Sequence, residues 1–121
     1  MQLKPPISFK DRRGSGCRTI RAAVIGCGNI AGGYDESKHD DGCYTHAGAY
    51  RQCAEIELVA AADPDAARRE SFGRRWGVPH LYADAGTLLR EHEVELVSVC
   101  VPDPLHEATI RQVVALRRPR V

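Results

Sequence analysis

One stretch constrains the chain more than any other. A short apolar run, Ala22-Ala23-Val24-Ile25, breaks into Gly26-Cys27-Gly28-Asn29-Ile30-Ala31. The pattern is G-x-G-x-x-A, the turn that joins the first strand of a dinucleotide-binding domain to its first helix, with alanine at the third small position. Each small residue has a physical task. Gly26 permits the tight turn off the strand, and Gly28, lacking a Cβ, lets a pyrophosphate approach the backbone. Ala31 is small enough for the helix to pack closely on the sheet. The helix then offers its unpaired N–H groups and the positive end of its dipole to phosphate oxygens. A glycine-rich turn is a weak signal alone; its place directly after a strand-like run gives it weight. The six positions Gly26, Cys27, Gly28, Asn29, Ile30 and Ala31 are accordingly expected to hold the cofactor.

The rest of the chain reads in the order such a domain requires. Residues 1–19, with Pro5-Pro6 and Gly14-Ser15-Gly16 among scattered charges, read as a flexible leader, and residues 20–121 as the dinucleotide-binding domain. Ala22 to Ile25 is the first strand, apolar on both faces. The helix opening at Asn29 is expected to be interrupted by Gly32-Gly33. Tyr34 to Cys43 then forms a polar insertion whose Asp35, Glu36, His39, Asp40 and Asp41 read as solvated loop residues rather than metal ligands. A helix resumes over Thr45 to Cys53, and Ile56 to Ala62 is the second strand.

That second strand ends in Asp63-Pro64-Asp65. An acid at this place accepts hydrogen bonds from the adenosine ribose hydroxyls. Asp63 stands further beyond the glycines than the usual spacing of about 20 residues, and the Tyr34–Cys43 insertion accounts for much of the excess. The same residues also read as a helix N-cap, Asp63, with Pro64 at the first helical position. Both roles stay open. A carboxylate here repels a 2′-phosphate and tilts the choice toward NAD, with NADP left possible because Arg68 and Arg69 follow one turn later.

A second helix runs from Pro64 to Trp76, with Phe72 and Trp76 one turn apart for packing on the sheet. His80-Leu81-Tyr82 is a short third strand, Asp84 caps a helix carrying Leu88 and Leu89, and Val94 to Val101 is the fourth strand. It runs into Pro102-Asp103-Pro104-Leu105-His106, where Asp103 reads as the cap of a last helix and Pro104 as its first residue. The carboxyl end of this strand sits beside the first, where open α/β sheets bind ligands. The backbone from Cys100 through Val101 and Pro102 to Asp103 is therefore expected to line the cofactor cleft. His106 lies near the helix start on the side of Ile110 and Val113, and reads as a packing residue at the cleft rather than a catalyst. Cys100 lacks an identifiable base and reads as a small buried residue. The cofactor-binding set is thus the glycine turn together with Asp63, Pro64, Cys100, Val101, Pro102 and His106; no catalytic residue and no metal ligand is assigned.

Composition bounds the partners. A net charge of +1 over 121 residues gives no reason to expect nucleic acid, and no apolar run is long enough to span a membrane. The five cysteines form no C-x-x-C, which suits free thiols in a reducing cytoplasm better than a disulfide framework or a zinc site.

With these pieces in place, the chain resembles the N-terminal Rossmann domain of the Gfo/Idh/MocA oxidoreductases. Three segments carry the resemblance: Gly26 to Ala31, Thr45-His46-Ala47-Gly48-Ala49-Tyr50, and Val101-Pro102-Asp103-Pro104-Leu105-His106. The last departs from the family pattern at Val101, where threonine is frequent. The resemblance implies a doubly wound parallel sheet and hydride transfer between a nicotinamide cofactor and a sugar-like alcohol or carbonyl. It also implies a fifth strand ending in Glu-Lys-Pro and a separate C-terminal α+β domain. Neither stands in this sequence, and Lys4, Lys10 and Lys38 are not placed to substitute.

The expected fold is therefore an α/β Rossmann-like sheet that is incomplete, with about four strands. Two readings stay open: the cofactor-binding part of an NAD-dependent oxidoreductase, catalytically incomplete alone, or a non-catalytic dinucleotide-binding or interaction module derived from one. The fourth strand would be an edge open to self-association, so a homo-oligomer is possible.

Overall fold

The structure is a computed structural model and describes residues 18–36, 42–117 and 121. Four parallel strands form the sheet in the order β3-β2-β1-β4: β1 Ile20–Ile25, β2 Ile56–Ala62, β3 His80–Tyr82 and β4 Leu96–Val99. This order matches the first four strands of the doubly wound order 3-2-1-4-5-6, with the chain switching direction across the sheet at β1.

Side-chain alternation along β1 divides the core. Ala22 and Val24 face one layer, where Phe72, Trp76, Ala47 and Tyr50 pack; Ala23 and Ile25 face the other, with Leu88, Leu89 and Val113. The first layer is made by α2 (His46–Gln52) and α3 (Ala66–Trp76), the second by α4 (Ala85–Glu91) and α5 (His106–Arg117). Both faces of β1 are covered, which is why Ala22 to Ile25 is an unbroken apolar run.

Several boundaries differ from the sequence expectation. β1 begins at Ile20, and β4 spans only Leu96–Val99 rather than Val94 to Val101. The glycine pair does not break the first helix. Asn29–Gly33 winds as a π-helical turn, with the N–H of Gly33 reaching the Gly28 carbonyl at 3.2 Å, and continues directly into α1, Tyr34–Glu36. Gly32 is needed there for packing, since a Cβ on it would lie 2.2 Å from Trp76 Nε1.

Asp35 is not a solvated loop acid. It is 2% exposed; its carboxylate accepts the Tyr44 N–H at 3.1 Å and the Thr45 hydroxyl. Thr45 Oγ1 in turn accepts the Gly48 N–H at 3.0 Å and caps α2. The buried carboxylate thus splices the two halves of the interrupted first helix. Residues 1–17 of the expected leader, and His39, Asp40, Asp41 and the three lysines, lie outside the described residues.

Helix α3 starts at Ala66, not Pro64, and its cap is Asp65, whose side chain accepts the Arg68 N–H at 3.0 Å. Asp84 caps α4 as expected, through the Thr87 N–H at 2.8 Å. Asp103 is not the cap of α5: Asp103–Leu105 is a 3-10 turn, and the helix proper opens at His106.

Candidate dinucleotide cleft

A cleft of about 520 Å³ opens at the carboxyl ends of β1, β2 and β4, within the range of small-molecule sites. Its floor is the glycine turn. Gly26 has φ of +93°, and a Cβ on it would lie 2.7 Å from the carbonyl carbon and oxygen of Cys100. The β1 and β4 turns therefore touch backbone to backbone, and only glycine fits. Gly28 differs. A Cβ there would meet nothing within 4 Å among the described residues, and Gly28 lines the cleft. That bare backbone, just before the Asn29–Gly33 turn, is a cradle that a dinucleotide pyrophosphate fits.

Asp63 ties this floor to β2. It is 4% exposed; Oδ2 accepts the Cys27 N–H at 2.8 Å and Oδ1 accepts the Asp65 N–H at 2.8 Å. The N-cap alternative for Asp63 is thus corrected, because Asp65 performs that task. Each carboxylate oxygen keeps a lone pair beyond its backbone bond, and Asp63 lines the cleft. Arg68 lines it too, with Nη1 3.8 Å from Asp63 Oδ2, while Arg69 donates to the Asp63 carbonyl at 3.1 Å and braces the turn.

Nine of the twelve expected positions line the cleft: Gly26, Gly28, Asn29, Ile30, Asp63, Pro64, Cys100, Val101 and Pro102. The other three support it from behind. Ala31 is wholly buried in the core. Cys27 is buried with Sγ 3.7 Å from the Ala62 carbonyl, and its contribution to the floor is its backbone N–H. His106 is half-buried and polar in its contact, Nε2–H donating to the Val101 carbonyl at 2.7 Å; Ile110 on its side of α5 is exposed. It is a strut for the β4 turn rather than part of an apolar face.

Burial pushes the Cys27 thiol up to about 12, with Asp63 adding to the rise, and burial alone pushes Cys100 up to about 12. Both are held as thiols and are unsuited to nucleophilic work. Among the described residues no group of three or more His, Cys, Asp or Glu could hold a metal ion, and no helix is long and apolar enough to cross a membrane.

Sequence reasoning missed Tyr34, Asp84 and Leu105 as cleft residues. Tyr34 carried a signal, one turn beyond Ile30, but was absorbed into the polar insertion. Asp84 stands just beyond β3 and Leu105 closes the 3-10 turn after β4, and the topology brings both to the same crevice.

The family model described as an oxidoreductase family with an NAD-binding Rossmann fold matches residues 20–119. The D-apiose dehydrogenase of Paraburkholderia graminis is 26% identical over 93 residues, which are 77% of this chain and 22% of that protein. The chain thus spans about a fifth of the length of that curated relative. Among solved structures, the WlbA dehydrogenase from Bordetella pertussis, in complex with NADH and UDP-GlcNAcA, superimposes with a TM-score of 0.67 at 21% identity, covering 82% of this chain and 27% of that one. The myo-inositol 2-dehydrogenase from Lactobacillus plantarum gives 0.65 at 21% identity, covering 82% and 26%. At these identities the structural likeness speaks for the fold.

Proposed function

The chain belongs to the Gfo/Idh/MocA oxidoreductase family, and from that premise we propose that residues 20–121 form the domain that holds NAD for hydride transfer on a sugar-like alcohol or carbonyl. The observation that carries the reading is the bond from the Cys27 N–H to Asp63 Oδ2 at 2.8 Å, which joins the acid of β2 to the glycine turn of β1 in one cleft.

Each residue then has a task. The Gly28 backbone and the start of the Asn29–Gly33 turn take the pyrophosphate. The free lone pairs of Asp63 accept the adenosine ribose hydroxyls, and its charge disfavours a 2′-phosphate. Pro64 and Arg68 border the adenosine side, while Cys100, Val101 and Pro102 form the opposite wall, held by Gly26 and by His106. Bound NAD would supply the hydride-accepting nicotinamide ring. The proton-transferring group and most of the substrate pocket are proposed to come from chain beyond these residues, which make up about a quarter of the length of the matched dehydrogenases. A reducing cytoplasm suits the free thiols.

The variant Gly28→Val tests the reading. It should fold as the wild type does, because no described residue beyond its chain neighbours lies within 4 Å of its Cβ, and should lose NAD⁺ binding because the side chain fills the pyrophosphate space. Unaltered NAD⁺ affinity in a folded Gly28→Val chain would overturn it.

A further inference from the structure

Tyr34 is the one aromatic residue among the described residues lining the cleft, and it is 56% exposed. An exposed aromatic ring beside a ligand space gives a bound planar group a face to stack on. The lining changes along the strand order β3-β2-β1-β4, with most of its large apolar side chains toward β4 and the helix after β1. On the β2 and β3 side stand the charged groups Asp63, Arg68 and Asp84. On the β4 side stand Val101 and Leu105, the latter strongly exposed, together with the solvent-exposed Asp103, and the helix after β1 contributes Ile30 and Tyr34, also exposed. The charged side suits ribose hydroxyls; the apolar group suits a planar heterocycle.

Two features place Tyr34. The first is the π-helical turn. The Gly33 N–H bonds the Gly28 carbonyl and the Tyr34 N–H bonds the Asn29 carbonyl, each reaching five residues back. This wider winding keeps Tyr34 at the cleft with Asn29 and Ile30, and such turns recur at functional sites. The second is Asp35, the next residue, fixed by its buried bonds to the Tyr44 N–H and the Thr45 hydroxyl. Gly48 leaves the room for that carboxylate, since a Cβ there would lie 2.3 Å from Asp35 Oδ2. The backbone at Tyr34 is therefore held from both sides, while its side chain is largely exposed.

We propose that Tyr34 seats the nicotinamide half of the bound dinucleotide against Ile30 and Leu105, with the π-helical turn and the Asp35 anchor as the device that places it. The inference rests on the cofactor reading above and adds a residue from the insertion to it. An aromatic face suits the nicotinamide ring by stacking and suits the cationic oxidised form further through its quadrupole.

The test titrates NAD⁺ and ADP-ribose, the same ligand without nicotinamide, calorimetrically into the wild type, Tyr34→Ala and Tyr34→Phe. Tyr34→Ala should weaken NAD⁺ by about five- to tenfold and leave ADP-ribose within about twofold, and Tyr34→Phe should match the wild type for both. Melting curves should coincide, because Tyr34 is mostly exposed. Equal weakening of both ligands in Tyr34→Ala, or no change in either, would overturn the proposal while leaving the cofactor reading intact. A wild-type chain that binds neither ligand would overturn the cofactor reading and this one with it.

Discussion

Asp63 Oδ2 accepts the backbone N–H of Cys27 at 2.8 Å, and through this bond the residue that follows β2 fixes the turn that follows β1. The same carboxylate holds the Asp65 N–H, so one side chain organises both the glycine turn and the approach to α3. Replacing Asp63 by Ala strands two backbone donors and should lower stability by about 2–4 kcal/mol, read from urea unfolding. A loss below about 0.5 kcal/mol would show that solvent replaces the carboxylate at no cost, against its burial.

Gly26 and Gly28 should respond differently to alanine. At Gly26 the positive φ and the 2.7 Å approach to Cys100 leave no room, and Gly26→Ala should cost about 2 kcal/mol or more. Gly28 has open space around it, so Gly28→Ala should unfold within about 0.5 kcal/mol of the wild type. Equal losses in the two variants would contradict the division of labour in the turn.

How far the sequence reveals this arrangement depends on how local the deciding contact is. The alternation of Ala22, Ala23, Val24 and Ile25 between two layers follows from strand periodicity, and the Asp84 cap follows from its place before a helix. Asp63 and Asp65 flank one proline, and either could cap α3 by local rules. The choice is made by Cys27, whose N–H arrives from another strand and claims Asp63, leaving the cap to Asp65. Asp35 and Tyr34 were hidden for the same reason. Their surroundings come from Thr45, Gly48 and the cleft, across a segment whose composition resembles a loop. The Gly32-Gly33 pair looked like a helix break, but Gly32 answers to Trp76 and Phe72 on α3.

Stability should fall in mild acid through His92. Burial and the neighbouring His80 ring, 4.3 Å away between centroids, hold the His92 imidazole below its ordinary value; Arg21 acts in the same direction and Glu91 opposes it. The folded state therefore takes up a proton at His92 less readily than the unfolded chain, which does so near the ordinary pKa of about 6.5. The stabilisation is complete above that value and declines as pH falls below it. Urea midpoints at pH 7.5 and 5.5 check this: the drop should shrink in His92→Gln, and an identical drop in the variant would contradict it.

The thiols should separate by reactivity. Cys27 and Cys100, pushed up to about 12, should resist iodoacetamide at neutral pH in the native state, while exposed Cys43 is alkylated. Peptide mass mapping with and without urea reads the difference. Labelling of Cys27 or Cys100 as fast as Cys43 in the native protein would show that the floor of the cleft opens readily.

The most direct measurement is a calorimetric titration of the whole chain with NAD⁺ and with NADP⁺, beside Asp63→Ala. The cleft described here predicts saturable one-to-one binding of NAD⁺, weaker binding of NADP⁺, and loss of that preference in the variant, because the Asp63 carboxylate both accepts the ribose hydroxyls and repels a 2′-phosphate. No binding heat and no change in melting temperature with either ligand, from a chain that circular dichroism shows to be folded, would contradict it.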